Sequence, residues 1–226
     1  MTKLLETIEI ETGKNPTASV IWMHGLGADG NDFVPIVGEL GFASAPAVRF
    51  VFPHAPMRPV TINNGYVMRA WYDVSFGDLE GKSRRADEQG VREAQAQIDA
   101  LIEREEKRGI AAANILLAGF SQGGAIALHT GLRHPRKLAG VMALSTYLPL
   151  GESLPAEASA ANKDTPIFMA HGLSDPVVPL MMGAGSMTFL TGLGYSIEWH
   201  QYPMQHSVCP REIEDISVWL RKILRA

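Results

Sequence analysis

The chain of 226 residues contains a single cysteine, Cys209. One cysteine can form neither an internal disulfide nor a cluster of thiolate ligands, which excludes a disulfide scaffold and a zinc finger. No apolar run approaches the roughly 20 residues that a membrane-spanning helix needs. Glu6, Glu9 and Glu11 stand where a secretory signal would need uninterrupted apolar residues. We therefore expect a cytoplasmic protein without stable membrane insertion.

A surplus of positive charge is also missing. The chain has 20 Lys and Arg against 24 Asp and Glu, a formal net charge of −4. Because nucleic acids bind to basic surfaces, we expect no nucleic-acid partner. The 46% of hydrophobic residues exclude general disorder, and the length fits one domain over residues 1–226. No H-E-x-x-H or similar metal-binding spacing occurs, so we expect no metal and no cofactor.

Five short apolar runs each end at a turn-forming or polar residue; they cover residues 19–23, 48–52, 115–118, 140–144 and 166–170. Continuous runs of this length are typical of buried parallel strands. Between them, residues 84–108 and 211–225 carry apolar side chains at helical spacing. The alternation predicts an α/β fold with a mostly parallel sheet and helices on both faces.

Residues 119–123 read GFSQG and match the pattern G-x-S-x-G. In that pattern the serine sits on a strained turn between a buried strand and a helix. A predicted strand precedes Ser121, and an apolar helix is predicted over residues 124–132. The helix N-terminus offers unpaired backbone N–H groups to a developing oxyanion. The alternative is a glycine-rich turn in which Ser121 only caps the helix.

A nucleophilic serine needs a histidine to accept its proton and a carboxylate to orient that histidine. In hydrolases that carry the G-x-S-x-G turn on an α/β sheet, the chain order is serine, acid, histidine. Asp175 lies just beyond the strand predicted at 166–170, and of the seven histidines only His200 and His206 follow it. His200 lies within a strand-like run, whereas His206 lies in a loop, so His206 is the better candidate. The alternatives are a turn-forming Asp175 and a packing or capping His206.

The oxyanion needs a second donor from another loop. The sequence HGLG at residues 24–27 directly follows the first predicted parallel strand, as the HGGG-type loop does in esterases. We expect the backbone N–H groups of Leu26 and Gln122 to form the pair. The alternative for this loop is a flexible turn.

These motifs resemble those of the small carboxylesterases of the α/β-hydrolase superfamily, which include acyl-protein thioesterases and lysophospholipases. The shared stretches are WMHGLGADG, FPHAP, RAWYD, GFSQGGAIAL, HGLSDPVVP and YPMQHSVCPREI, which extend over about residues 20–220. The resemblance implies the triad Ser121, Asp175 and His206, with Leu26 and Gln122 at the oxyanion hole. It also implies that Trp71 and its loop line the acyl site.

Two long segments outside the regular pattern bear on the substrate. Residues 54–83 are predicted to form a long irregular loop near the active site. Residues 147–164 are too few for a cap domain, so we expect an open or loop-covered site. Its expected apolar walls are Leu26, Trp71, Phe76, Leu148 and Val177. Phe76 and Leu148 are equally compatible with core or scattered surface positions.

We therefore expect a serine carboxylesterase that hydrolyses short- to medium-chain acyl esters or thioesters, with a small-molecule or acylated ester as substrate. An acyl-protein thioesterase or a lysophospholipase would use the same residues. A hydrolase-fold binding protein that has lost catalysis is the alternative from another class. The sequence leaves open whether the chain acts as a monomer or a homodimer.

Overall fold

A seven-stranded sheet forms the centre of the computed structural model, which describes residues 4–42, 46–75 and 87–224. The described residues form nine strands, of which β4 and β5 lie outside the central sheet. They are β1 (Thr7–Glu11), β2 (Ala18–Met23), β3 (Val48–Pro53), β4 (Met57–Val60), β5 (Tyr66–Arg69), β6 (Ile115–Phe120), β7 (Gly140–Leu144), β8 (Ile167–Gly172) and β9 (Ile197–Tyr202). The helices are α1 (Glu88–Lys107), α2 (Gln122–Arg133), α3 (Leu154–Glu157), α4 (Leu180–Gly192) and α5 (Pro210–Ile223).

The central sheet has the strand order β1-β3-β2-β6-β7-β8-β9, and only the edge strand β1 runs antiparallel to its neighbour. All five apolar runs predicted as strands lie in it, and every residue of β2, β3, β7 and β8 is buried. Such strands need no polar face because helices cover both sides of the sheet. The predicted fold class is confirmed.

Two hydrophobic clusters lie on opposite faces of the sheet. In β2, Ile21 and Met23 pack in one cluster with α1 and α2, whereas Val20 and Trp22 pack in the other with α5. This follows from the alternation of side chains along a strand. The predicted helix over 211–225 is α5, and the one over 84–108 is α1, which Asp87 caps by accepting a 2.9 Å hydrogen bond from Gly90 N–H. Residues 84–86 lie outside the described part of the chain.

The irregular loop expected over residues 54–83 is wrong for part of its length. Strands β4 and β5 pair as an antiparallel hairpin, whose turn uses left-handed backbone at Asn64 (φ 54°) and Gly65 (φ 77°). The Asn64-Gly65 pair is a hairpin signal that the expectation of a loop overlooked, while Pro59 weakens the strand pattern before it. Proline is tolerated here because a two-stranded hairpin has free edges. The segment 147–164 holds only α3 and short turns, and it forms no separate cap.

No helix in residues 4–42, 46–75 or 87–224 combines the length and apolar character needed to cross a bilayer.

Candidate active site

The HGLG loop and the three candidate triad residues all follow strands that run in the same direction. The HGLG loop follows β2, Ser121 follows β6, Asp175 follows β8 and His206 follows β9. Because these strands are parallel, their carboxyl ends meet at one edge of the sheet. Ligands of open α/β sheets bind at this edge, which brings the candidate residues into one region.

Ser121 occupies strained backbone at the junction of β6 and α2, with φ 54° and ψ −121°. Non-glycine residues rarely adopt a positive φ, and such strain persists only where the surroundings hold it. Here the Ser121 N–H donates to the Leu144 carbonyl at 2.8 Å, and the Ser121 carbonyl accepts from Thr146 Oγ1 at 2.6 Å. Both partners lie at the end of β7, so the neighbouring strand fixes the turn.

The glycines around Ser121 are required by close backbone approach. A Cβ on Gly119 would lie 2.2 Å from the carbonyl carbon of Gly123, and one on Gly123 would lie 2.3 Å from the Met23 carbonyl oxygen. Only glycine fits at these two positions. The second contact also presses the start of α2 against the end of β2, where the HGLG loop begins.

Asp175 and His206 form a short hydrogen bond. His206 Nδ1 lies 2.7 Å from Asp175 Oδ2, and the other carboxylate oxygen accepts the backbone N–H groups of Val177 at 2.8 Å and Val178 at 2.9 Å. The Asp175 side chain is fully buried, whereas that of His206 is 15% exposed. A buried carboxylate with three donors is held in one orientation and fixes the Nδ1–H tautomer of His206.

The ring of His206 packs beside the serine turn. Its centroid lies 4.7 Å from that of Phe120, the residue that precedes Ser121. Among the described residues, His206 is hydrogen-bonded to Asp175 and is not hydrogen-bonded to Ser121. Hydrogen bonds between a nucleophile and its base are often long without substrate and tighten in the complex. The structure thus joins Asp175 to His206 and brings His206 next to the Ser121 turn.

The HGLG loop lies directly against Ser121. A Cβ on Gly25 would stand 3.4 Å from the Ser121 Cβ. His24 holds the loop, because its Nδ1–H donates to the Gly25 carbonyl at 2.7 Å and its Nε2 accepts from Ala55 N–H at 3.1 Å. Burial lowers the pKa of His24 to about 4, so the ring is neutral at neutral pH and keeps this tautomer. Leu26, the next residue of the loop, is half-buried.

The sequence predicted that Trp71 forms a wall of an open pocket. In the structure it does not, because its side chain is fully buried. Its Nε1–H donates to the His24 carbonyl at 2.9 Å, and its backbone N–H donates to Gln122 Oε1 at 2.8 Å. Gln122 Nε2 in turn donates to the Tyr72 carbonyl at 2.7 Å. The Gln122 side chain therefore anchors the loop at 71–72. Sequence reasoning assigned a role only to its backbone, and the motif carries no signal for this contact.

The other residues that were expected to line the pocket lie in different places. Leu148 lines an apolar surface groove of about 360 Å³ together with Tyr147, Met181, Met182, Ser186 and Phe189. Val177 is 48% exposed next to Asp175 but does not line this groove. Phe76 lies outside the described residues. A second groove of about 360 Å³ runs along His206 and Phe120 and is lined further by Phe33, Ile36, Val208 and Ile213, with Asp32 and Glu39 among its polar residues.

Comparisons with known proteins indicate the family of this chain. A model of the Phospholipase/Carboxylesterase family matches residues 5–224. The chain is 40% identical over 235 residues to "Acyl-protein thioesterase 1" of Cryptococcus neoformans, with 98% of each chain covered. Among solved structures it is similar to Arabidopsis thaliana SOBER1 (TM-score 0.83, 32% identity, 92% of this chain and 99% of that one). It is also similar to Zea mays acyl-protein thioesterase 2 (TM-score 0.83, 26% identity, 97% and 99%).

Proposed function

This chain belongs to the phospholipase/carboxylesterase family, and we propose that it hydrolyses acyl esters and thioesters through a triad of Ser121, His206 and Asp175. The observation that carries the proposal is the 2.7 Å bond between Asp175 and His206 beside the strained Ser121 turn. Membership of the family makes the chain a serine hydrolase of the α/β-hydrolase fold. The assignment of the individual residues is our own.

In the first half of the reaction, His206 Nε2 takes the proton from Ser121 Oγ as that oxygen attacks the acyl carbonyl. The tetrahedral intermediate carries its negative charge on the former carbonyl oxygen, where the N–H groups of Leu26 and Gln122 donate to it. The C–O or C–S bond to the leaving group then breaks, and the imidazolium of His206 gives its proton to the departing alcohol or thiol. The acyl group stays on Ser121 as an ester.

In the second half, water attacks the acyl-enzyme while His206 accepts its proton. The second tetrahedral intermediate collapses, the carboxylic acid leaves, and Ser121 Oγ regains a proton from His206. Asp175 stabilises the imidazolium in both halves and does not itself take up the proton. Because these residues supply nucleophile, base and acid, the mechanism uses no metal and no cofactor.

We assign the acyl chain to the groove at Leu148 and the leaving group to the groove at His206. The Leu148 groove is mainly apolar, open along one side, and has Met181 and Phe189 at its edge, which suits a short to medium alkyl chain. The His206 groove adjoins the group that protonates the leaving group. We propose a small acylated ester or thioester as the substrate class.

A protein thioester is the second candidate substrate. It is favoured by the relatives named acyl-protein thioesterase 1, which match this chain over nearly its full length. The openness of both grooves also leaves room for a peptide beside the scissile bond. A thioester would use the same triad, because a thiol is a better leaving group than an alcohol and makes no further demand on His206.

The test combines active-site labelling with turnover. Wild-type protein should react with a fluorophosphonate at Ser121 and hydrolyse p-nitrophenyl esters, and the rate should be compared across acyl chains from acetate to palmitate. Ser121→Ala should lose both activities, while Ser196→Ala, which changes an exposed serine far from the site, should retain them. Asp175→Asn should lower kcat by about 10⁴-fold, since the histidine takes the wrong tautomer.

Absence of labelling and turnover in the wild type would refute the enzyme mechanism. Near wild-type turnover by Asp175→Asn or by His206→Ala would refute the role of that residue alone. Parallel assays on a palmitoylated peptide and a lysophospholipid rank the substrate classes.

A further inference from the structure

We propose that His171 is a positioning residue that holds Asp175 in place for catalysis. The proposal rests on the proposed triad and adds a residue to which neither the motifs nor the family comparison assigns a role. His171 is completely buried in β8, four residues before Asp175. It touches neither the expected substrate grooves nor the reacting atoms, so it would act only through the carboxylate.

The geometry fixes which ring nitrogen of His171 carries the proton. His171 Nε2 lies 2.9 Å from the Val178 carbonyl oxygen. A carbonyl oxygen only accepts, so Nε2 carries a hydrogen and donates it. The same nitrogen lies 3.6 Å from Asp175 Oδ2, the oxygen that accepts from His206. The N–H edge of the His171 ring therefore lies close to the same carboxylate oxygen that His206 contacts.

Val178 connects the two residues a second time. Its N–H donates to Asp175 Oδ1 at 2.9 Å, while its carbonyl accepts from His171. Both the N–H and the carbonyl of Val178 are therefore hydrogen-bonded, which fixes the turn that follows β8. If the His171 donor were removed, the buried Val178 carbonyl would lose its partner, and the turn would lose the one side-chain hydrogen bond that joins it to β8 within the described residues. The carboxylate would then be free to shift with the turn.

The ring itself has little freedom to move. A Cβ on Gly183 of α4 would lie 2.4 Å from His171 Nδ1, so α4 packs directly on the ring edge opposite the Val178 bond. Trp199 of β9 packs beside it, with ring centroids 6.3 Å apart. In the part of the chain that the structure describes, Nδ1 has no hydrogen-bond partner. The ring is therefore clamped between α4 and the Asp175 turn, with Nε2 as its one bonded nitrogen.

Two amide substitutions separate positioning from packing. In His171→Gln the side-chain amide reaches about as far as Nε2 and can still donate to Val178. In His171→Asn the same amide is one methylene shorter and cannot. We expect His171→Gln to keep kcat for p-nitrophenyl butyrate within about threefold of wild type. We expect His171→Asn to lower kcat by about 10- to 100-fold with KM unchanged within twofold, because small displacements of a catalytic group are costly.

The spectroscopic readout is the downfield proton NMR signal of the hydrogen shared by His206 and Asp175. It should persist in His171→Gln and shift upfield or broaden in His171→Asn. His134→Asn is the matched control, because His134 is also buried and bonds a different carboxylate, Asp99, at 3.0 Å. That control should lower the melting temperature about as much as His171→Asn but leave the signal and kcat unchanged.

Equal kcat and equal NMR signals in His171→Gln and His171→Asn would overturn the proposal, whether both match wild type or both lose activity. If the proposed triad were wrong, Asp175→Asn in an otherwise wild-type protein would remain active. Failure of the triad can therefore be distinguished from failure of the role of His171.

Discussion

Glu212 is a fully buried carboxyl group in the first turn of α5, and no group within the described residues makes a well-aligned hydrogen bond to its oxygens. Burial raises its pKa from the ordinary 4.5 to about 8, only partly opposed by the backbone of Cys209, while Asp215 adds a further upward contribution. We predict that Glu212→Gln becomes more stable relative to wild type as the pH rises from 5.5 to 7.5. Glutamine has almost the shape of the protonated acid and never needs to ionise inside the fold.

The sign and size follow from proton linkage. Between pH 4.5 and 8 the folded protein holds a proton on Glu212 that the unfolded chain has released. The free energy of unfolding therefore falls as pH rises, by about 1.4 kcal/mol per pH unit from this group. From pH 5.5 to 7.5 the loss is about 3 kcal/mol, or about 6–12 °C in melting temperature for a chain of this size.

Urea unfolding at pH 5.5, 6.5 and 7.5 measures this directly. The quantity to plot is the unfolding free energy of Glu212→Gln minus that of wild type, because all other titrating groups cancel in the difference. It should rise by about 3 kcal/mol over the two units. Glu214→Gln, an exposed position on the same helix, serves as control and should run parallel to wild type. A difference for Glu212→Gln that stays constant within about 0.5 kcal/mol would refute the reasoning.

Two further substitutions test the supports of the site. Gly123→Ala places a Cβ 2.3 Å from the Met23 carbonyl oxygen, so the oxyanion loop and α2 must separate. We expect kcat/KM for a p-nitrophenyl ester to fall by about 10²-fold or more. The control Gly38→Ala, whose added Cβ lies in open space, should match wild type. An unchanged rate in Gly123→Ala would show that the loop contact is dispensable. Trp71→Phe leaves the His24 carbonyl without its 2.9 Å donor and should cost about 1–3 kcal/mol in urea unfolding; a loss below about 0.5 kcal/mol would contradict this role.

The sheet was predictable because its strands are buried on both faces and are apolar throughout. The order of Ser121, Asp175 and His206 along the chain was equally accessible, because a parallel sheet brings the ends of its strands to one edge whatever the distance in sequence. The bond between Asp175 and His206 agrees with that expectation, while their catalytic roles stay a prediction. The hairpin at β4 and β5 was not predicted, because its residues alternate weakly and one of them is proline.

The direction of side chains in loops was the feature that the sequence predicted least well. Trp71 was expected to face substrate, since large aromatic residues in long loops often bind ligands. In the structure its two N–H groups find buried acceptors, and that pairing turns the indole inward. Both acceptors belong to residues 47 and 51 positions away in sequence, His24 and Gln122, so no local pattern could reveal them. The same reason hid the role that we assign to His171.

These inward contacts bear on how the oxyanion site is built. The two proposed donors, the N–H groups of Leu26 and Gln122, belong to loops that follow different strands, and a separation error of a fraction of an ångström would weaken one bond to the oxyanion. Trp71 ties the two loops together, because it bonds the backbone of His24 on one side and the side chain of Gln122 on the other. We therefore expect the spacing of these proposed donors to be set by buried hydrogen bonds that do not involve the substrate. A donor pair held in this way is ready before the ester binds, so substrate binding need not supply the free energy of assembling it.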